Sequence, residues 1–284
     1  MARGLDHIVH AVHDLDAVGE AYARLGFTVG ARNRHPWGTH NRIVQFPGVF
    51  IELLALGEMD RIPPARPRSL SFGAFTRDFL AKGEGLSMLV LEGKGAQADA
   101  NAFRAAGIGD FDVFNFEREG KRPDGSTVKV AFSLVFAEDK GAPDTGFFTC
   151  QQHYPENFWN PAFQQHANGV TGVAGVVFIA ENPSDHHIFL KAFAGVSDLT
   201  ATSAGLLIET PRGEIQAMDP AAYRLHFAVD PPDTSRGMRL AAIRFAVRDL
   251  GLARERVGGS GSQHMGNLVI GPGAAHGAAL VFEG

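Results

Sequence analysis

Leu5-Asp6-His7-Ile8-Val9-His10-Ala11-Val12-His13-Asp14-Leu15 opens the chain's order, and Gly26-Phe27 and Val49-Phe50-Ile51-Glu52-Leu53-Leu54 complete it. Residues 5–12 are apolar and β-branched enough for a strand. Asp14 is placed to cap a helix in which Leu15, Val18, Ala21, Tyr22 and Leu25 recur at helical spacing. Gly26 stands at the helix stop. Strands are expected over 27–31, 40–46 and 49–56, the last two joined by a Pro47-Gly48 turn. The unit is β-α-β-β-β.

The same order recurs from residues 86, 173 and 240, at steps of 81, 87 and 67, so these are diverged modules and not a fixed-period solenoid. The second has strands at 86–91, 113–116, 129–136 and 147–152, a helix through Ala98, Phe103 and Ala106, and a Pro123-Asp124-Gly125 hairpin turn. The third has strands at 173–180, 206–209 and 214–217 and a helix over 187–193. The fourth has strands at 240–247, 268–270 and 278–282, with a helix from Asp249-Leu250. A lone module leaves sheet edges exposed, and pairing two modules closes the sheet into a cup. The expected fold is α+β: tandem βαβββ modules paired into two cups of mixed β-sheet, over residues 1–160 and 168–284. Their boundary falls in the polar stretch 157–169.

Composition narrows the function classes. The 284 residues suit about two domains at ~150 residues each. A net charge of −5 shows no basic excess for nucleic acid or an anionic membrane. One cysteine, Cys150, excludes an internal disulfide framework and a multi-cysteine zinc site. No apolar run follows the basic start, so no signal peptide is expected, and no stretch nears the ~20 apolar residues of a membrane span. A cytoplasmic protein acting on a small molecule is the expectation; a homodimer is compatible with it but not required.

The motif that opens the chain, the Gly26-Phe27 pair and the Glu52 strand resemble a module of the vicinal oxygen chelate superfamily. This group includes glyoxalase I, extradiol dioxygenases and bleomycin resistance proteins. Within it, the chain resembles the glyoxalase-like domain proteins. The matching pieces are His35-Pro36-Trp37-Gly38-Thr39-His40-Asn41, Arg122-Pro123-Asp124-Gly125, Phe147-Phe148-Thr149-Cys150-Gln151 and His166-Ala167-Asn168-Gly169. The resemblance implies a metal in a two-module cup, each module giving one ligand from its first strand and one from its fourth. His7 and Glu52 match the first module's two ligands, and imidazole plus carboxylate suits Zn, Fe, Mn, Ni or Co. Counting back from Lys94 places Ser87 at the second module's first slot, and setting Gly146 against Gly48 places Cys150 opposite Glu52. Gly175, Gln216, Ala242 and Glu283 fall at the C-terminal slots, so the working cup is expected in the N-terminal half.

Strand alternation puts Leu5, His7, Val9 and Ala11 on one face, and Phe50, Glu52 and Leu54 on one face. A carboxylate in so apolar a strand costs several kcal/mol unless something compensates it. A metal, the cation Arg42 or protonation would serve; a solvent-facing Glu52 is the structural alternative, as a sheet-bound core histidine is for His7. His40 is expected to orient the substrate or shuttle a proton, and Glu52 is expected to be catalytic as well as metal-holding. Asn41, Arg42, Ser87, Cys150 and Gln152 are expected to line the substrate. Two functions compete: a metal-dependent glyoxalase- or dioxygenase-like enzyme, and a metal-free, bleomycin-resistance-like binding protein.

Overall fold

The computed structural model describes residues 1–64, 66–121 and 125–284. The first half runs β1 (Leu5–Ala11), α1 (Leu15–Arg24), β2 (Asn33–Arg34), β3 (Thr39–Phe46), β4 (Val49–Leu56), α2 (Phe72–Leu80), β5 (Gly85–Glu92), α3 (Ala96–Ala105), β6 (Phe114–Lys121), β7 (Thr127–Ala137) and β8 (Gly146–Gln152). The second half runs β9 (Val170–Ile179), α4 (His187–Ala194), β10 (Thr200–Thr202), β11 (Gly205–Glu209), β12 (Glu214–Met218), α5 (Pro220–Phe227), β13 (Arg239–Val247), α6 (Leu250–Val257), β14 (Ser262–His264), β15 (Asn267–Ile270) and β16 (Ala279–Glu283). Each half is one eight-stranded mixed sheet, ordered β2-β3-β4-β1-β5-β8-β7-β6 and β10-β11-β12-β9-β13-β16-β15-β14. First strands pair antiparallel across each centre, and each pairs parallel with its own module's last strand. These are the expected paired βαβββ modules. Among the described residues no helix is long and apolar enough to cross a membrane.

Local chemistry explains the helices. Asp14 accepts from the backbone N–H groups of Asp16 and Ala17, capping α1, and Asp249 caps α6 in the same way. The buried stripe of α1, Leu15, Val18 and Tyr22, packs on the convex face of the first sheet. The convex faces of both sheets and their helices share one core, joined by contacts such as Phe147 on Phe178 (5.8 Å) and Phe27 on Phe245 (5.1 Å). The second half thus covers the back of the first and leaves its concave face free.

The connector is tied to the first module. His166 Nδ1 accepts from Thr28 N–H at 3.0 Å, and its Nε2 lies 2.9 Å from the Gln45 carbonyl. The buried Asn168 donates to the Leu25 carbonyl at 2.9 Å. This explains why residues 27–31 are not the expected strand: Thr28 gives its N–H to His166, and the short β2 forms later, at 33–34. The expected Pro123-Asp124-Gly125 turn lies outside the described residues except for Gly125, although β6 and β7 do pair antiparallel as a hairpin would. In the glycine-rich stretch 258–262, Gly258–Ser260 forms a 3-10 turn that leads into β14.

Two helices escape the β-α-β-β-β scheme. α2 and α5 lie between the paired modules, on the concave side of each cup. Phe79 and Leu80 of α2 pack on Ala11, and Phe72 reaches into the first cup. Tyr223 and Phe227 of α5 pack among Val177, Ile179, Met218 and Val281 on the concave face of the second sheet.

Candidate functional site

Register fixes which residues face the first cup. β1 and β5 each carry a bulge: Asp6 is extra between Leu5 and His7, and Ser87 is extra opposite Val9 and His10. The bulge at Asp6 turns Leu5 to the convex core, away from the face of His7 and Val9, where simple alternation had placed it. The two bulges are equivalent, so Ser87 corresponds to Asp6, and Met88 is the counterpart of His7. The one-residue offset arises because α3 is capped at Gly95, not Lys94. Glu52 pairs with Val9, and Phe148 pairs with Val90, so Phe148 is the counterpart of Glu52. Cys150 sits one pleat further along. The four superfamily slots of this cup therefore hold His7, Glu52, Met88 and Phe148.

A narrow cavity of about 90 Å³ occupies the cup. Trp37, Phe50, Phe72, Phe116, Phe132, Phe148 and Phe158 give it aromatic walls, and His7, His35, Asn41, Glu52, Arg118 and Cys150 supply its polar groups. Gln45 holds the connector over it, donating to the Phe158 carbonyl at 2.9 Å and accepting from Asn160 N–H at 3.0 Å.

His7 is fixed on two sides. Its ring stacks on Phe50 at 4.3 Å and meets the edge of Phe148 at 5.4 Å. Its Nδ1 lies 2.6 Å from Asp6 Oδ1, and the other Asp6 oxygen accepts from Gln152 Nε2 at 3.0 Å. A buried carboxylate on Nδ1 places the proton there and makes Nε2 the free lone pair.

Glu52 is held by neutral hydrogen-bonding groups, with the Arg118 guanidinium acting on it through space. Asn41 Nδ2 donates to Glu52 Oε1 at 2.5 Å, and His35 Nε2 lies 3.7 Å away. The same Asn41 group lies 3.2 Å from His35 Nε2, and His35 Nδ1 meets Thr39 Oγ1 at 2.9 Å. Burial holds the His35 pKa below its ordinary value, against the pull of Glu52. Neutral His35 thus donates from Nδ1 and accepts on Nε2. Burial pushes the Cys150 thiol well up, with Asp6 and Glu52 adding to the shift, so it is a protonated wall group.

Several residues expected at the site lie elsewhere. His40 points away from the cup, toward Glu58 (2.9 Å) and Arg32 (3.2 Å). Gly57 makes room for it: a Cβ there would lie 2.5 Å from the imidazole. Arg42 pairs with Asp16 at 2.6 Å, not with Glu52. Ser87 is buried against the Val9 carbonyl, 3.4 Å from its Oγ. Gln152 lines a separate hollow with Asp6, Glu92, Lys94 and Arg212. His7, Asn41, Glu52 and Cys150 do meet in one cavity. Sequence reasoning missed Asp6, Arg118 and the aromatic wall from α2; the bulge that brings Asp6 beside His7 has no sequence signal.

The second cup differs. By register its slots hold Gly175, Gln216, Ala242 and Val281, with Glu283 one pleat beyond, as Cys150 is in the first. Arg244 neutralises Glu283 and Glu214, each at 2.6 Å. Among the described residues, the one group of three close metal-donor side chains is Asp6, His7 and Cys150.

Two eight-stranded cups from four βαβββ modules, with a histidine and a carboxylate at the ligand slots of one, define a protein of the vicinal oxygen chelate superfamily. The family model described as a glyoxalase-like domain matches residues 5–193, and the chain belongs to that family. No curated protein matches it. Among solved structures it is similar to a hypothetical protein from Staphylococcus aureus (13% identity, TM-score 0.69, 99% of each chain covered). It is also similar to a variant of 4-hydroxymandelate synthase from Streptomyces coelicolor (9% identity, TM-score 0.55, covering 99% of this chain and 92% of that one). A third is the Mn(II)-bound glyoxalase from Novosphingobium aromaticivorans (11% identity, TM-score 0.51, covering 99% and 82%). At these identities the likeness speaks for the fold.

Proposed function

We propose that the N-terminal cup binds a small molecule with a flat apolar body, whose polar end meets His7 and Glu52, and that no tightly held metal is needed. The observation that carries this reading is the cavity itself: seven aromatic walls around a few convergent polar groups, as a small-molecule site requires. His7 Nε2 accepts a hydrogen bond or a proton from the bound molecule, while Asp6 keeps the ring in one tautomer. Glu52, held by Asn41, accepts from a hydroxyl or N–H.

The donor set falls short of the metal centre that the superfamily resemblance implies. His7 and Glu52 would hold the ion, but Met88 and Phe148 fill the other two slots. A soft thioether is a poor ligand for the hard or borderline divalent ions, and a phenyl ring is none. In the Asp6, His7 and Cys150 group, Nδ1 is engaged by Oδ1 in a 2.6 Å hydrogen bond, and burial keeps the thiol protonated.

A second reading, a metal-dependent glyoxalase- or dioxygenase-like enzyme, is favoured by one observation. An imidazole that gives Nδ1–H to a buried carboxylate is oriented as metal-ligating histidines are. A bound divalent ion would there supply Lewis acidity toward substrate oxygens. Metal analysis of protein purified without chelator, alongside His7→Ala and Glu52→Gln, separates the two. The metal-free reading expects substoichiometric metal, unchanged in both variants, and stabilisation by aromatic ligands. Stoichiometric metal lost in both variants overturns it.

A further inference from the structure

A second hollow, of about 320 Å³, opens beside the cup and shares His35, Phe116 and Arg118 with it. Its remaining walls are Arg34, Pro36, Arg61 and Glu117. Three guanidinium groups thus converge on one rim. Their counter-charges are few. Glu117 pairs with Lys129 at 2.7 Å, and Arg34 is 3.5 Å from Glu58, which also serves His40. Among the described residues Arg61 and Arg118 make no salt bridge, and there the Arg118 side chain makes a 3.4 Å hydrogen bond to the Glu119 carbonyl. Arg118 is half-buried and faces both the aromatic cavity and the hollow. Glu52 shares the cavity but lies beyond ion-pair distance of it, so the cup has a negative side and a positive rim. On a chain with net charge −5, so local a cationic rim is not a by-product of overall composition.

From this geometry we infer that the cup's ligand is an anion: an aromatic or similarly flat molecule whose carboxylate or phosphate is held at the rim by Arg118, with Arg61 and Arg34 behind it. This rests on the proposal that the cup binds such molecules at all. Guanidinium groups match carboxylate and phosphate through paired N–H donors, and an unpaired half-buried one gains most from such a partner. The ring then lies against the wall formed by Trp37, Phe116 and Phe132, and the polar substituents at its far end meet Glu52 and His7.

The test uses matched probes on the full chain. 3-Phenylpropanoate, its neutral amide 3-phenylpropanamide, and phenyl phosphate are titrated calorimetrically at low salt. The acid is expected to bind about tenfold or more tighter than the amide, the range of a charge-assisted hydrogen bond. Arg118→Gln should reduce that preference to about twofold or less, and added salt should weaken it. Arg61 is exposed, so Arg61→Gln leaves the fold intact and should reduce the preference in the same direction. Comparison of the acid with phenyl phosphate identifies which anion the rim prefers. Equal affinities for acid and amide overturn the inference while leaving the cup as a binding site. A preference that survives both substitutions also overturns it. Failure of all three probes to bind overturns it together with the proposal beneath it.

Discussion

His7 Nδ1 lies 2.6 Å from Asp6 Oδ1, inside a strand where both side chains are buried. Asp6 is the bulge residue of β1, and only because the strand slips there can neighbours in sequence meet side by side. Asp6→Ala would leave two donors, the buried His7 Nδ1–H and the half-buried Gln152 Nε2–H, without an acceptor. The expected cost is roughly 2–4 kcal/mol in a urea titration. Asp6→Asn keeps an acceptor oxygen and should cost less. A difference below experimental error between Asp6→Ala and the parent would contradict this role.

Met88 and Ser87 separate two alignments of the second module. With Met88 as the counterpart of His7, Met88→His adds a third ligand to the cup and should raise Zn(II) or Mn(II) affinity by tenfold or more, on the order of one added ligand. Ser87→His should not, because Ser87 occupies the bulge matching Asp6. Metal titration of both variants decides it, and the opposite ranking refutes the register.

His10 gives the fold a pH dependence. Its Nδ1 meets Tyr22 Oη at 3.0 Å, and its Nε2 meets the His276 carbonyl at 2.8 Å. Burial lowers its pKa from 6.5 to about 4. The unfolded chain therefore takes up the proton first. The stability that neutral His10 contributes is fully present above pH 6.5 and is lost as pH falls toward 4. The full loss is roughly 3 kcal/mol. Urea midpoints of the parent and His10→Gln, taken between pH 7 and 4.5, should converge as pH falls. Parallel profiles would show that His10 does not titrate this way.

His166→Ala should loosen the connector without touching the cup. It removes the acceptor for Thr28 N–H and the group that meets the Gln45 carbonyl. The expected loss is about 1–3 kcal/mol. Because Gln45 also holds Phe158 through its side chain, aromatic-ligand affinity should change by less than about threefold.

The fold was legible because each module announces itself. Asp14 and Gly26 bracket α1, and Val49–Leu56 alternates between cup and core as strand geometry requires. α2 and α5 carry start signals of their own. Ser71 caps α2 ahead of Phe72, Phe79 and Leu80 on one face, and Asp219-Pro220 caps α5 ahead of Tyr223 and Phe227. The site was half legible. His7 and Glu52 follow from strand position, whereas the partner of Glu52 depends on which way a loop folds. Asn41 faces in and His40 faces out because β3 alternates, and no composition cue fixes that phase. The charge of Arg42 suggests a partner for Glu52, but Asp16 on α1 claims it. The second module's slots differ from the counted ones because α3 is capped at Gly95 rather than Lys94 and because Phe148, not Cys150, pairs beside Val90 as Glu52 does beside Val9; the bulges at Asp6 and Ser87 leave no mark in a single sequence.

The central claim is that the N-terminal cup is the working site. The chain has two tryptophans, and Trp37 lines the cavity, stacked on His35 at 4.7 Å. In a ¹⁵N-labelled sample titrated with 3-phenylpropanoate, the Trp37 indole resonance should shift in step with the backbone amides of His7, Asn41 and Glu52. Saturable shifts confined to Gln216, Arg244 and Glu283, with Trp37 unmoved, would contradict the account.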